Sequence, residues 1–189
     1  FKTPGECYQD DDMQLLYPKI EEADVFVFAS PLDVDKVNRP MKNLIDKMLP
    51  RIQRFVEVRD GSCRHPLRGT PKICKLVLVS KCGLWEMESF DSLLVHMKAF
   101  CKIASFQFAG ALLRPHGEAM QSMLEMGVPI GDIFEAAKDA GSQLVKEGRM
   151  SQETLDIVSR ELLPRDMYNQ LGNQQCQQIL DSLKKYINR

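Results

Sequence analysis

The feature that most limits what this chain can fold into is the placement of three short apolar runs. They are Val25 to Ala29 (VFVFA), Leu76 to Val79 (LVLV) and Phe106 to Leu113 (FQFAGALL). Short runs of this kind, rich in β-branched and aromatic residues, are predicted as strands buried on both faces, as in parallel sheets. Segments with helical periodicity fill the intervals. Asp10-Asp11-Asp12 precede Met13, Leu15, Leu16 and Ile20, which predicts a helix to about Glu22 with acidic residues at its positive end. Met41, Leu44, Ile45, Met48 and Leu49 form the apolar stripe of a surface helix, and Pro40 suits its first turn. A third helix is expected from Phe90 to Lys102, with Leu93, Leu94, Met97 and Phe100 or Cys101 facing inward. Asp60-Gly61 predicts a hairpin turn. The remainder reads as helical: Ile133 to Glu147, Gln152 to Leu163 with Gly148 as the stop between them, then a segment from Pro164 toward Tyr186 with a break near Gly172.

Strands alternating with helices imply an α/β sheet with right-handed crossovers. In such sheets ligands bind outside the carboxyl ends of the strands. Three loops leave those ends: Ser30-Pro31-Leu32-Asp33, Ser80-Lys81-Cys82-Gly83 and Arg114-Pro115-His116-Gly117. The first is either a plain strand-to-helix connection shaped by Pro31 and Pro40, or a loop offering backbone N–H and C=O groups to a planar heterocycle. In the second, Cys82 and Trp85 are either packing residues, or the Cys82-Gly83 turn approaches a ligand while Trp85 covers it with an aromatic face. Among His65, His96 and His116, the last has the best position for function, at a strand's end.

Composition excludes several classes. With 189 residues, 44% hydrophobic and 27% charged, the chain suits a single domain able to bury roughly 70% of its unfolded surface. A net charge of −1 gives no electrostatic case for nucleic acid or an anionic membrane. No apolar segment approaches the roughly 20 residues of a membrane span, and a cytoplasmic protein is expected. The six cysteines are scattered, without the spacing of a zinc site or a disulfide scaffold. Phosphate-binding and dinucleotide fingerprints and a nucleophile elbow do not occur.

Taken together, "TPGEC", "EADVFVFASPL", "PMKNLIDKML", "KLVLVSKCGLWE" and "FAGALLRPHG" resemble the flavodoxin-like NAD(P)H-dependent FMN reductases, closest to their iron–sulfur flavoprotein branch. The similarity runs from about Thr3 to Gly117. Its most specific part is the Ser-Pro loop followed by Lys42 and Asp46. The resemblance implies a flavodoxin-like three-layer sandwich with a parallel sheet, plus a helical C-terminal extension over about 130–189. It implies FMN at the strand ends, held by Ser30, Pro31, Leu32, Asp33 and Val34 and by Cys82, Gly83 and Trp85, with NAD(P)H as co-substrate. A small-molecule electron acceptor, or a protein acceptor, and a homodimer or homotetramer are expected, with no nucleic acid or membrane partner. Asp33 stands where the family often has an aromatic residue, and Lys36 and Arg39 where it often has glycines. An aspartate beside the ring disfavours an anionic reduced flavin, and Lys36 or Arg39 offsets it.

The resemblance also implies that the family's first strand and phosphate loop would precede Phe1. The expectation is a piece of a longer flavoprotein, or an apolar strand edge paired with another chain. Cys7 matches one member of the cysteine cluster of the iron–sulfur branch. One cysteine cannot hold a cluster that needs four ligands, so no metal site is expected here. The competing readings are a flavin electron carrier of the iron–sulfur flavoprotein type, and a non-enzymatic interaction module that binds no flavin.

Overall fold

Parallel pairing of the three apolar runs organises the molecule. The computed structural model describes residues 5–6, 9–59, 61–69 and 72–187, so Cys7 lies outside the described residues. In chain order the elements are α1 (Met13–Glu22), β1 (Val25–Ala29), β2 (Leu32–Asp33), β3 (Lys36–Val37), α2 (Arg39–Lys47), β4 (Glu57–Arg59), β5 (Ser62–Arg64), β6 (Cys74–Lys81), α3 (Asp91–Ala104), β7 (Phe106–Arg114), α4 (Glu118–Glu125), α5 (Gly131–Glu147), α6 (Gln152–Ser159) and α7 (Arg165–Ile187). The main sheet has the order β1-β6-β7. It is parallel throughout, with Val25 opposite Lys75, Ala29 opposite Val79, and Lys81 opposite Arg114. Strands β4 and β5 form the hairpin expected around Asp60-Gly61. The fold is mixed α/β and flavodoxin-like.

One face of the sheet carries the core. Phe28, Leu76 and Leu78 pack against Leu93, Met97 and Phe100 of α3 and Ile45 of α2. Phe26 stacks on Phe106 at 5.8 Å and Phe28 on Phe100 at 5.9 Å between ring centroids. Burying each such ring contributes roughly 2–3 kcal/mol, which explains why the apolar runs rather than the polar loops set the architecture. On the opposite face α6 covers β7, while Val27 is 59% exposed and Val79 37%.

The third run is not a uniform strand. Leu76 faces Phe108 but Val77 faces Gly110, so Ala109 is the extra residue of a bulge. The bulge inverts side-chain parity: Phe106 and Phe108 reach the core before it, Ala111 and Leu113 after it. Gly110 makes this possible, with φ at 132° and a hypothetical Cβ only 2.6 Å from Met150 Cε.

Two C-terminal expectations differ from the structure. Helix α7 continues through Gly172 without a break; a glycine inside a helix costs about 1 kcal/mol but need not end it. Helix α6 ends at Ser159, not Leu163, because Arg160 has turned to an extended ψ of 151°. Gly148 does stop α5 in the left-handed conformation, its N–H bonded to the Leu144 carbonyl.

Candidate functional site at the strand carboxyl ends

All three strand exits lie at one rim, because β1, β6 and β7 point the same way. At the first, the Ser30 N–H donates to the Val79 carbonyl at 3.0 Å. The buried Ser30 hydroxyl accepts from the Asn38 N–H at 3.0 Å and donates to the Pro31 carbonyl at 3.0 Å. One side chain thereby closes the whole loop from Pro31 to Val37. Asn38 then caps α2, its Oδ1 accepting from the Met41 N–H at 3.1 Å.

Inside that loop β2 and β3 form a miniature antiparallel hairpin, with Leu32 opposite Val37 and Asp33 opposite Lys36. Leu32 and Val37 turn to the core. The two turn residues both have positive φ, Val34 at 46° and Asp35 at 62°, as a two-residue type I′ turn demands. For a β-branched residue this is a strained conformation, on the order of 1 kcal/mol or more. Val34 is 82% exposed, so its side chain supplies no packing to offset that strain. The hairpin presents backbone and the Asp33–Lys36 pair at the rim.

The second and third exits are sewn together. The Cys82 N–H donates to the Arg114 carbonyl, the Gly117 N–H to the Cys82 carbonyl and the His116 N–H to the Leu84 carbonyl. Cys82 is buried, and its thiol donates to the Leu84 carbonyl. Burial pushes its pKa up, so it stays a thiol at neutral pH and is no nucleophile. Trp85 stacks on the His116 ring at 5.9 Å and donates its Nε1–H to the Leu163 carbonyl at 3.0 Å. Gly83 is open at the rim: an added Cβ would meet only Glu118 Cγ, at 3.8 Å. Its carbonyl accepts from the Tyr168 hydroxyl.

His116 is 1% exposed. Its Nε2 accepts from the Leu162 N–H at 2.9 Å, so the proton sits on Nδ1, which has no hydrogen-bond partner among the described residues. Burial, then the Arg114 charge, lower its pKa to about 4. Arg114 is itself buried, and its guanidinium donates to the carbonyls of Pro115, Val158, Ser159 and Arg160. Burial, followed by the Arg160 charge, lowers its pKa to about 10, still cationic at neutral pH.

The structure thus gathers Ser30, Pro31, Leu32, Asp33 and Val34 in the first-exit hairpin and leaves Gly83 accessible. Cys82 and Trp85 lie behind that rim, engaged with main chain. Ser80, placed in the second strand-end loop by the sequence but given no role there, has a buried hydroxyl near the end of the central strand with no hydrogen-bond partner among the described residues. A polar residue closing an otherwise apolar strand was the available signal. Lys81 of the same loop pairs with Glu118 at 2.6 Å; Tyr168, which lies far along the chain, is the residue that sequence reasoning passed over.

Residues 1–75, which include β1, the hairpin and α2, match the NADPH-dependent FMN reductase family. The iron–sulfur flavoprotein of Archaeoglobus fulgidus is 48% identical over 46 residues, covering 24% of this chain and 21% of that protein. The matched stretch is therefore about a fifth of that relative's length. Over residues 1–75 the chain is thus similar to the NADPH-dependent FMN reductases, and its parallel sheet is flavodoxin-like.

Proposed function

We propose that this chain binds FMN at the strand rim and serves an oxidoreductase that passes electrons from NAD(P)H through flavin to a small-molecule or protein acceptor. The observation that carries this reading is the strained, exposed hairpin of Ser30 to Val37, standing at the shared exit of three parallel strands. The rim suits a flat ring with polar edges. The backbone of Pro31, Leu32, Asp33 and Val34 is held as a rigid ledge by the Ser30 hydroxyl. Gly83 allows close approach, and the Ser80 hydroxyl, without a partner among the described residues, is a polar group near the end of the central strand. Cys82 and Trp85 support this wall from behind. Bound there, FMN would accept hydride from NAD(P)H and release electrons singly or in pairs. Lys36, directly opposite Asp33 on the hairpin, offsets the aspartate's repulsion of an anionic reduced ring.

The test is titration of the purified protein with FMN, followed by flavin fluorescence, and then anaerobic addition of NADH or NADPH. Saturable quenching and bleaching of the flavin band are expected. Protein that leaves FMN fluorescence untouched would sink the proposal and favour the non-enzymatic interaction module. A second reading, a flavin electron carrier of the iron–sulfur flavoprotein type, is favoured by the name of the matched archaeal relative. Among the described residues no cluster of His, Cys, Asp or Glu is built to hold a metal. Iron analysis and electron paramagnetic resonance of the native gene product separate the two. A homodimer or homotetramer is the proposed assembly, checked by light scattering. None of the helices among the described residues is long and apolar enough to cross a membrane.

A further inference from the structure

At the end of the sheet opposite the rim lies a cavity that the flavin reading does not use. It opens between α2 and α3, over the first residue of β7, with a volume of about 250 Å³. Its walls are apolar: Ile45 from α2 and Met48 at its end, Phe100 and Ile103 from α3, Phe106 from β7, and Leu67. Of its few polar side chains, Lys42 is already neutralised by Asp46 one helical turn on. Arg51 is not. It is half-buried and makes no ion pair or side-chain hydrogen bond among the described residues.

Arg51 also lines an adjoining cleft of about 120 Å³, which shares Leu67, Ala104 and Phe106 with the first. That cleft is polar. It adds Arg68 and Lys72 to Arg51, against the single acid Glu21. Lys72 is taken up by Asp24 at 2.7 Å and the Glu22 carbonyl, and Arg68 Nε by the Pro50 carbonyl. Arg51 therefore stands as the unclaimed cation on the wall common to an apolar chamber and an electropositive one. Leaving a guanidinium half-buried beside hydrocarbon without an anion is unfavourable; a carboxylate supplies two acceptors in the geometry its fork requires.

We propose that this pair of cavities binds an amphipathic monocarboxylate of the fatty-acid class, its apolar chain between α2 and α3 and its carboxylate on Arg51. The division of labour follows from the chemistry. Ile45, Phe100 and Phe106 offer area without hydrogen-bonding groups, which suits an alkyl chain and not a nucleotide or a sugar. With Lys72 paired to Asp24, Arg51 and Arg68 face the one acid Glu21, and that surplus of one positive charge suits a single negative charge better than a phosphate or a dicarboxylate. The two cavities, about 250 and 120 Å³, together reach the lower end of the range for small-ligand sites. Because the cavity lies at the amino ends of β6 and β7, its occupancy is independent of the flavin rim.

The experiment uses decanoate as probe and 1-decanol as its uncharged counterpart, with binding read by calorimetry and by methyl shifts of Ile45, Ile52 and Ile103. Decanoate is expected to saturate one site. Arg51→Gln should weaken decanoate about tenfold or more, the loss of a charged hydrogen bond, and leave 1-decanol unchanged. Ala99→Phe, at an exposed position of α3 on the cavity mouth, should weaken both. Titration with FMN should be the same in both variants as in the parent, which shows that they fold and separates this site from the rim. Non-saturable binding, equal weakening of decanoate and decanol by Arg51→Gln, or methyl shifts confined to Val27 and Val79 would each overturn the proposal.

Discussion

At the scale of single residues, Arg114 and His116 sit at the end of β7 nearly out of reach of water, and both act through main-chain hydrogen bonds. Among the described residues neither has a carboxylate partner; carbonyl dipoles hold the guanidinium, and the Leu162 N–H holds the imidazole. A buried neutral histidine links stability to pH. Its folded pKa of about 4 lies below the ordinary value of 6.5. The unfolded chain therefore takes up a proton that the folded chain refuses as pH falls below 6.5. Stability is complete above that value and declines progressively toward pH 4, by up to about 3 kcal/mol. Denaturant melts of the parent at pH 7.5 and 4.5 should show this loss, and His116→Gln, which keeps an acceptor for Leu162, should flatten the slope in that window. A slope unchanged by the substitution would place the titration on another group. Burial likewise makes Cys101 inert, its thiol pushed up to about 11.

At the scale of elements, the β2–β3 hairpin departs furthest from local preference. Its turn places Val34 and Asp35 where asparagine and glycine are favoured. Changing both, Val34→Asn with Asp35→Gly, should stabilise the protein by roughly 1 kcal/mol, readable as a rise in melting temperature. The backbone path is retained, so FMN titration of the double variant should match the parent if the ledge acts through main chain. No gain in stability would mean that the turn is not strained. Gly110 carries the opposite expectation. Gly110→Ala should cost about 1–2 kcal/mol, and adding Met150→Ala should recover little. The end of a methionine can move aside, whereas a φ of 132° remains unfavourable for alanine.

At the scale of the whole molecule, stability is concentrated on the sheet face shared with α2 and α3, and α7 stands at the other extreme. From Asn169 to Lys184 every residue of α7 is exposed, and among the described residues its ties to the body lie at its start, through Tyr168, the Arg165–Glu86 ion pair and the Leu162–Leu163 main chain. Helices of this kind owe little to propensity and most of their stability to packing. Amide exchange beyond Tyr168 should accordingly be fast beside that of α3; slow exchange there would reveal a packing partner. Much of this arrangement was legible beforehand. The strands at Val25–Ala29 and Phe106–Arg114 and the helices around Met41 and Leu93 were readable because alternation, apolar spacing and caps are properties of near neighbours. The convergence of three strand exits followed from the same signals. The small hairpin was hidden, because Val34 carries no turn signature and no glycine follows it, and α4 because it is short and has no side-chain cap. The stacking of Trp85 on His116 with Tyr168 edge-on to it, the neutral state of His116 and the unclaimed charge of Arg51 lay beyond any local pattern. Each depends on how deeply a group is removed from water and on which remote segment meets it. The amino-acid order determines where strands and helices form, since those preferences are local; only the folded sheet decides which polar groups are desolvated together, and with that the chemistry of the rim and the cavity.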